Sequence, residues 1–192
     1  MKIIHVLNHF LPDHIAGTEM YAYNLGKELD RTGLALFYLI PNYGSIRAED
    51  SKYDGQRVVK YAEPSIVDRA LQMGKRKPDG LSTFIEILKN EKPSIVHFHE
   101  LEWGSGITLH HVMAAKKEGF KTVMTFHLAS YSCKTGSLVY KDNALCDGEI
   151  KIRKCTECYY SQQKLSTVQN SVLSSTAMLS YKIGYDLTKL NR

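Results

Sequence analysis

The stretch that decides the fold spans residues 81–99 and reads LSTFIEILKNEKPSIVHFH. Its first half places apolar residues at positions 81, 84, 85 and 88, the spacing of one face of an amphipathic helix. Pro93 closes that helix, and the mostly apolar run Ser94–Phe98 follows as a buried strand. This order, a helix and then a strand, is the repeating unit of an α/β protein.

The same order recurs on both sides of this stretch. Towards the carboxyl end, Gly106–Glu118 has a helical apolar pattern, Gly119 ends it, and Lys121–Phe126 is strand-like. Towards the amino end, residues 2–8 form an apolar first strand, and the helix after it ends before Gly33. The apolar residues that recur every four positions in that helix are Tyr21, Leu25 and Leu29.

Two further strands complete the predicted sheet. Leu34–Ile40 is apolar and is expected to stop at Pro41, and Val58–Tyr61 is a weaker candidate. The polar residues of Asn42–Gln56 predict a loop between them. Strands that alternate with helices are joined by right-handed crossovers and pair in parallel. The sequence therefore predicts an α/β fold with a Rossmann-like parallel sheet flanked by helices.

Composition agrees with a globular protein. The chain has 192 residues, enough for one domain with a full core, and its 43% hydrophobic and 23% charged residues are ordinary. Intrinsic disorder and fibrous repeats are thereby excluded. No apolar run reaches the roughly 18 to 20 residues that span a bilayer.

The net charge of +5 is a mild basic excess. Its clusters, Lys75–Lys77, Lys116–Lys117 and Lys151–Lys154, form no stripe along one helix. Nucleic-acid binding would need clustered basic residues with interleaved aromatics, so no nucleic-acid partner is expected. The positive charge could bind anionic substrates or a phospholipid surface. The alternative is that each cluster is only a solvent-exposed surface.

All four cysteines lie in one segment, with the spacing C-x12-C-x8-C-x2-C. Such clustering does not suit a disulfide framework, and without a secretion signal a reducing cytoplasm is expected. The closing C-x2-C is half of a zinc knuckle, which makes Cys133, Cys146, Cys155 and Cys158 candidates for a closed structural zinc site. The alternative is four reduced thiols, some of them buried.

Ligands of open parallel sheets collect at the carboxyl ends of the strands. Gly17 lies in the loop after the first strand, where it serves either the turn geometry or a close approach to a phosphate at the helix N-terminus. The loop lacks the G-x-G-x-x-G pattern, so a nicotinamide or flavin cofactor is not supported. His97 and His99 share one face of their strand, and His127 ends the next strand.

These segments together resemble family 4 of the GT-B glycosyltransferases. The first strand and Ala16–Glu19 are similar to the family's Gly-Gly-x-Glu loop, with Ala16 in place of the first glycine. Pro93–His99 is similar to the strand on the acceptor side of the cleft, and Val123–His127 to the strand that ends in the active-site histidine. Lys154–Cys158 matches a Lys-Cys-x-x-Cys found in many members.

The resemblance implies a retaining transfer of a sugar from a nucleotide-sugar donor to an acceptor hydroxyl, in polysaccharide or glycolipid biosynthesis. It implies no metal or other cofactor for the chemistry. Gly17 and the first helix would steady the donor diphosphate, and His127 would bind the donor sugar near its anomeric carbon. His99 and Glu100 would shape the pocket of the acceptor.

Two other functions stay open at the level of sequence. A metal-dependent hydrolase could use His97 and His99, with Asp13 or His14 as a further ligand. A zinc-stabilised binding module could be centred on the cysteines. Both leave the long alternation of strands and helices unexplained.

The resemblance also predicts the domain organisation. Residues 1–192 would form one acceptor-side domain, with a Rossmann-like core at 1–128, a Cys-rich insert at 129–160 and a helical tail at 161–192. The donor-binding domain would be absent, so the isolated chain is expected to be inactive and open to self-association through the tail. The acceptor would be a sugar or a lipid-linked sugar. A lipid-linked acceptor would add peripheral contact with the inner membrane face to the cytoplasmic location expected above.

Overall fold

The computed structural model describes residues 1–72, 74–102, 106–163 and 165–184. The chain forms two compact units, Met1–His127 and Leu128–Arg192. Residues 185–192 of the predicted helical tail lie outside the described residues.

A single sheet forms the centre of the first unit. Its strands are β1 (Lys2–Val6), β2 (Ala35–Tyr43), β3 (Glu49–Tyr53), β4 (Gln56–Glu63), β5 (Ile95–His99) and β6 (Thr122–Thr125), in the spatial order β3-β4-β2-β1-β5-β6. The helices are α1 (Gly17–Arg31), α2 (Arg69–Gln72), α3 (Leu81–Glu91) and α4 (Leu109–Lys117). All neighbours pair in parallel except β3, which is antiparallel to β4. The predicted α/β class with a Rossmann-like sheet is confirmed.

Alternation along the strands divides the core into two layers. On one face Ile4, Val96 and Phe98 pack with Phe84 of α3 and Ala115 of α4. On the other face lie Leu7, Tyr38 and Ala22 of α1. Because side chains of a strand alternate between faces, His5, His97 and His99 all point to the α1 side. The sheet therefore separates an apolar layer from the layer that carries the histidines.

Helix α1 packs closely on β2 at a glycine. A Cβ atom on Gly26 would collide with the hydroxyl of Tyr38. That hydroxyl donates to Gln56 Oε1 at 2.8 Å and lies 3.3 Å from the carbonyl of Ala22. Gly33 follows the helix with φ of 80° and closes it as the sequence predicts.

Two local predictions were wrong. Strand β2 continues through Pro41 to Tyr43, whereas the sequence predicted a stop at the proline. The ladder with β1 ends at Leu39, and beyond it β2 is paired with β4. Pro41 therefore lies where the strand has an edge-like side, the position at which a missing N–H is tolerated.

The predicted polar loop 42–56 contains strand β3. It pairs with β4 through a two-residue turn at Asp54 and Gly55, both with positive φ. This turn type fits the right-handed twist of a hairpin, and Asp-Gly is one of its preferred pairs. The strand was missed because its side chains are almost all polar and exposed, so it has no apolar alternation.

The second unit is small and irregular. It contains a short hairpin of β7 (Val139–Tyr140) and β8 (Ala144–Leu145), then α5 (Ile152–Gln162) and α6 (Thr167–Ile183). The helical character predicted after residue 161 is thus confirmed in α6, but the Cys-rich segment also holds most of a helix. Ser166 caps α6 by accepting from the N–H of Gln169. The described helices include none with the length and hydropathy of a membrane span.

Candidate functional site

The carboxyl ends of β1, β5 and β6 bring four histidines to one edge of the sheet. His5 of β1 is the register partner of His97 on β5, and His99 lies two residues further along β5. His127 follows the end of β6. His5, His97 and His99 each offer a ring nitrogen within 4.8 Å of the other two. The shared face predicted for His97 and His99 is confirmed, and His5 joins them.

Three of these imidazoles form a chain of hydrogen bonds. His5 Nδ1 lies 2.8 Å from His99 Nε2, and His99 Nδ1 lies 3.4 Å from His127 Nε2. His5 Nε2 is buried and has no hydrogen-bond partner. Buried N–H groups without a partner are rarer than unpaired acceptors, so we assign the proton of His5 to Nδ1. His5 then donates to His99, His99 donates to His127, and the proton of His127 is on Nδ1.

Three histidines of this group, His5, His97 and His99, are held neutral. Burial, and then the nearby His97, lower the pKa of His5 to about 3. Burial, with smaller effects of the neighbouring histidines, lowers the pKa of His99 to about 2. The pKa of His97 is lowered as well, first by burial and then by His127. Neutral rings near pH 7 agree with a chain in which each imidazole donates once.

Glu100 fixes the backbone that carries His127. Its N–H donates to the carbonyl of Thr125 at 3.2 Å, and its Oε2 accepts from the N–H of His127 at 2.8 Å. The residue is buried and has φ of 71°, a left-handed conformation that is uncommon outside glycine. Such strain is often found at functional sites, where the surrounding structure sustains it.

The first turn of α1 contacts the histidines through Tyr21. Its ring centroid lies 5.0 Å from that of His127, edge to face, and 6.0 Å from that of His99. The side chain is 46% exposed, so it does not belong to the buried stripe that the sequence predicted. Tyr21 therefore lies between solvent and the histidine chain.

Gly17 is the first residue of α1, after Ala16 in an extended conformation. A Cβ atom at position 17 would meet nothing within 4 Å, and the backbone is outside the left-handed region. Turn geometry therefore does not require glycine here, and the space beside it is open. The N–H groups of a first helical turn have no partner within the helix and attract anions.

Asp13 and His14, the other candidate metal ligands, have different partners. Asp13 binds Lys60 Nζ at 2.6 Å, and His14 Nδ1 lies 3.2 Å from Glu19 Oε1. Glu19 is buried in the first turn of α1, where a negative charge is favoured.

The third nitrogen beside His97 and His99 belongs to His5. A catalytic zinc needs an open coordination position for water. His5 and His99 are both fully buried and hydrogen-bonded to each other. This geometry favours the histidine chain over the hydrolase interpretation.

The loop after β5 is held against the loop after β1. The Oδ1 atom of Asn8 accepts from the N–H of Ile107 at 2.6 Å. A Cβ atom at Gly106 would lie 2.6 Å from that oxygen and 2.5 Å from Glu102 Oε2, so a larger residue would displace both side chains. Tyr43 donates to Glu102 at 3.5 Å, and burial raises the pKa of the phenol far above its usual value.

The second unit brings the four cysteines to one cavity. Cys133, Cys146, Cys155 and Cys158 all line it, together with Lys134 and Lys154 among others. All four are free thiols, and Cys158 is buried. A hydrogen bond with the hydroxyl of Thr135 lowers the pKa of Cys133 to about 7.

Sequence reasoning missed His5, Asn8 and Tyr21. His5 stands inside an apolar strand, and only its alternation with Ile4 and Val6 signals that it faces the other layer. His5 lies beside His97 because β1 and β5 are neighbours in the sheet, and a single sequence does not reveal the order of the strands. Tyr21 has helical spacing with Leu25 and Leu29, a pattern that indicates the core as readily as a site.

Comparison with known proteins gives a family and shows a remote likeness to solved structures. The family profile described as Glycosyltransferase Family 4 matches residues 15–145. No curated protein matches the chain. Among solved structures, the catalytic domain of starch synthase IV from Arabidopsis thaliana, bound to ADP and acarbose, is similar to 68% of this chain at 14% identity, with a TM-score of 0.41.

The likeness extends over 34% of the starch synthase chain, so this chain spans about a third of that protein. The family profile, in contrast, covers more than half of the present chain and includes Gly17, His99, Glu100 and His127. The chain therefore belongs to glycosyltransferase family 4.

Proposed function

We propose that this chain is the acceptor-side half of an enzyme that transfers a sugar from a nucleotide-sugar donor to an acceptor hydroxyl, with retention of configuration. The observation that carries the proposal is the contact of Tyr21 with His127 and His99, because it joins the first turn of α1 to the histidine chain. The proposed phosphate site and the proposed sugar-binding imidazole would thus lie on the same side of one sheet. The nucleotide would be held mainly by a second domain.

In this proposal the donor diphosphate binds at Gly17. The open space beside this residue supports a close approach of phosphate oxygens to the backbone. Negative charge grows on the leaving diphosphate as the bond to the anomeric carbon breaks. The N–H groups and the dipole of α1 would stabilise that charge.

His127 would bind the donor sugar through its Nδ1–H. The chain from His5 through His99 supports this role, because it fixes the tautomer of His127 with a proton on Nδ1. A neutral donor beside the anomeric carbon orients the sugar without repelling the positive charge that develops there. As the bond to the diphosphate breaks, the acceptor hydroxyl forms the new bond to the anomeric carbon and gives its proton to the leaving diphosphate.

His99 and Glu100 would shape the acceptor pocket by holding His127. Both side chains are buried, and each bonds to a different part of His127, the ring and the backbone N–H. The acceptor would be a sugar or a lipid-linked sugar in polysaccharide or glycolipid biosynthesis. We place the reaction in the cytoplasm, with peripheral contact to the inner membrane face for a lipid acceptor.

A transfer assay on the natural protein with a panel of nucleotide-sugars tests the proposal. We expect His127→Ala to lower kcat by about 100-fold or more, the usual loss when one preorganised donor is removed. His110→Ala is the matched control, since His110 is a half-buried histidine of α4 whose ring bonds to the carbonyl of Gly74. Equal activity of the two variants would overturn the role of His127, and no transfer from any donor would overturn the function.

A further inference from the structure

The four cysteines come from three separate parts of the second unit. Cys133 follows a short 3-10 turn at Ala129–Tyr131, Cys146 follows β8, and Cys155 and Cys158 lie one turn apart on α5. All four nevertheless line one small cavity. These are the four cysteines of the chain, so every cysteine side chain lies at this cavity.

The second unit has almost no hydrophobic core of its own. Among its described residues only Cys158 and Ser174 are buried. Large apolar side chains such as Leu145 and Ile150 are exposed. Small units that cannot bury enough apolar surface are usually held by disulfides or a structural metal.

Backbone hydrogen bonds position two of the four cysteines. Gly136 has φ of 74°, and its N–H donates to the carbonyl of Cys133 at 3.0 Å, which closes a tight turn after the first cysteine. The N–H of Lys141 donates to Cys158 Sγ at 3.3 Å. The thiol of Cys158 in turn lies 3.6 Å from the carbonyl oxygen of Val139, so two backbone groups fix the position of this sulfur.

Charge at the cavity also suits a thiolate cluster. A zinc ion with four thiolates carries a net charge of −2. Lys134 and Lys154 line the cavity, with Glu149 as the acidic residue of its wall. Lys154 is paired with Asp147 and Lys134 lies over the ring of Tyr159, so the two ammonium groups would offset only part of the negative charge of the cluster.

We propose that Cys133, Cys146, Cys155 and Cys158 bind one Zn²⁺ in a closed, structural site that holds the second unit together. In such a site sulfur atoms are roughly 3.8 Å apart, given Zn–S bonds of about 2.3 Å. No three of the four sulfur atoms lie within 4.8 Å of one another in this structure. Zinc binding would therefore contract the cavity by drawing in the loops of Cys133 and Cys146. The proposal is independent of the sugar-transfer function.

The test combines metal analysis with cobalt substitution on the purified protein. We expect about one zinc per chain, four thiols that react only after chelation, and a tetrahedral thiolate spectrum when Co²⁺ replaces zinc. Cys155→Ser should lose the metal, while Thr156→Ala should keep it. Thr156 is the matched control because it lies on α5 between the two cysteines and does not line the cavity.

If Cys155→Ser does not fold, the spectrum of the Co²⁺-substituted protein without any mutation still tests the proposal. Four reactive thiols without metal would overturn the proposal. Two disulfides, seen as a loss of mass on oxidation without bound zinc, would overturn it as well. An absorbing iron–sulfur chromophore in place of zinc would also contradict the assignment.

Discussion

At the scale of single residues, His99 is the centre of the candidate site. It bonds to His5 on one side and to His127 on the other, and it is fully buried. Replacing it by alanine would leave His5 Nδ1 without a partner and free the ring of His127. We expect His99→Ala to lower the free energy of unfolding by about 1 to 3 kcal/mol and to lower kcat more than KM is raised.

Urea unfolding and steady-state kinetics check this prediction. His99→Gln offers a polar side chain that can replace part of the bonding, and we expect it to recover part of kcat. A purely structural role would instead lower stability and leave the kcat of the folded fraction unchanged. His110→Ala should change neither quantity.

The buried histidines also predict a dependence of stability on pH. Burial lowers the pKa of His111 from 6.5 to about 3, and His5 and His99 are shifted in the same direction. The unfolded chain therefore binds protons between about pH 3 and 6.5 that the folded chain does not. Stability is complete above pH 6.5 and falls as the pH is lowered, by up to about 1.4 kcal/mol per pH unit for each histidine.

Denaturant unfolding at pH 7 and pH 5 measures this slope. His111→Phe removes one of the three buried histidines. The fall of the unfolding free energy with decreasing pH should then be smaller by the contribution of one histidine. An unfolding free energy that does not fall between pH 7 and pH 5 would contradict the neutral, buried state of these rings.

At the scale of elements, α1 contains two glycines in opposite surroundings. Gly26 has no room for a side chain, whereas the space beside Gly17 is open. Alanine at an exposed interior helical position usually stabilises relative to glycine by about 1 kcal/mol. Gly26→Ala should instead destabilise by about 1 to 3 kcal/mol, because the added Cβ overlaps the Tyr38 hydroxyl. Gly17→Ala should leave stability nearly unchanged and weaken donor binding about tenfold, about 1.4 kcal/mol.

Thermal unfolding and donor titration separate the two variants. Gly26→Ala should lower the melting temperature, because it disturbs the packing of α1. Gly17→Ala should lower the affinity for the donor, because it obstructs the proposed phosphate site. Undiminished donor affinity in Gly17→Ala would remove the N-terminus of α1 from the phosphate site.

The elements that sequence predicted are those with strong apolar periodicity. Helix α3 and strand β5 lie where the stretch 81–99 placed them, since their apolar residues repeat with the period of each element. Strand β3 was missed because it is polar, and the end of β2 was misplaced because proline is tolerated beyond the ladder with β1. The hydrophobic pattern of a short segment carries little information on strands whose formation depends on pairing with other strands.

The candidate site was predictable in part for a related reason. The sequence shows that His99 and His127 end strands, and open sheets bind ligands at such ends. The hydrogen-bond chain through His5 requires that β1 and β5 be neighbours, which follows from sheet topology. The contact of Tyr21 requires in addition that α1 cover that face.

At the scale of the whole molecule, the two units differ in how they are stabilised. The first has a two-layered apolar core, whereas the described part of the second buries only Cys158 and Ser174. If zinc holds the second unit, a chelator should raise amide hydrogen exchange in residues 128–184 and leave the sheet strands of the first unit protected. If the chelator does not raise amide hydrogen exchange in residues 128–184, a metal does not hold the second unit together.

The central claim is that the edge of the sheet lined by Gly17, Tyr21 and His127 is the sugar-transfer site. The most direct measurement is NMR of the protein with labelled histidine and tyrosine rings, titrated with nucleotide-sugar donors. The account predicts saturable shifts of the His127 and Tyr21 signals and none of His110. Saturable donor binding that leaves His127 and Tyr21 unshifted would contradict it.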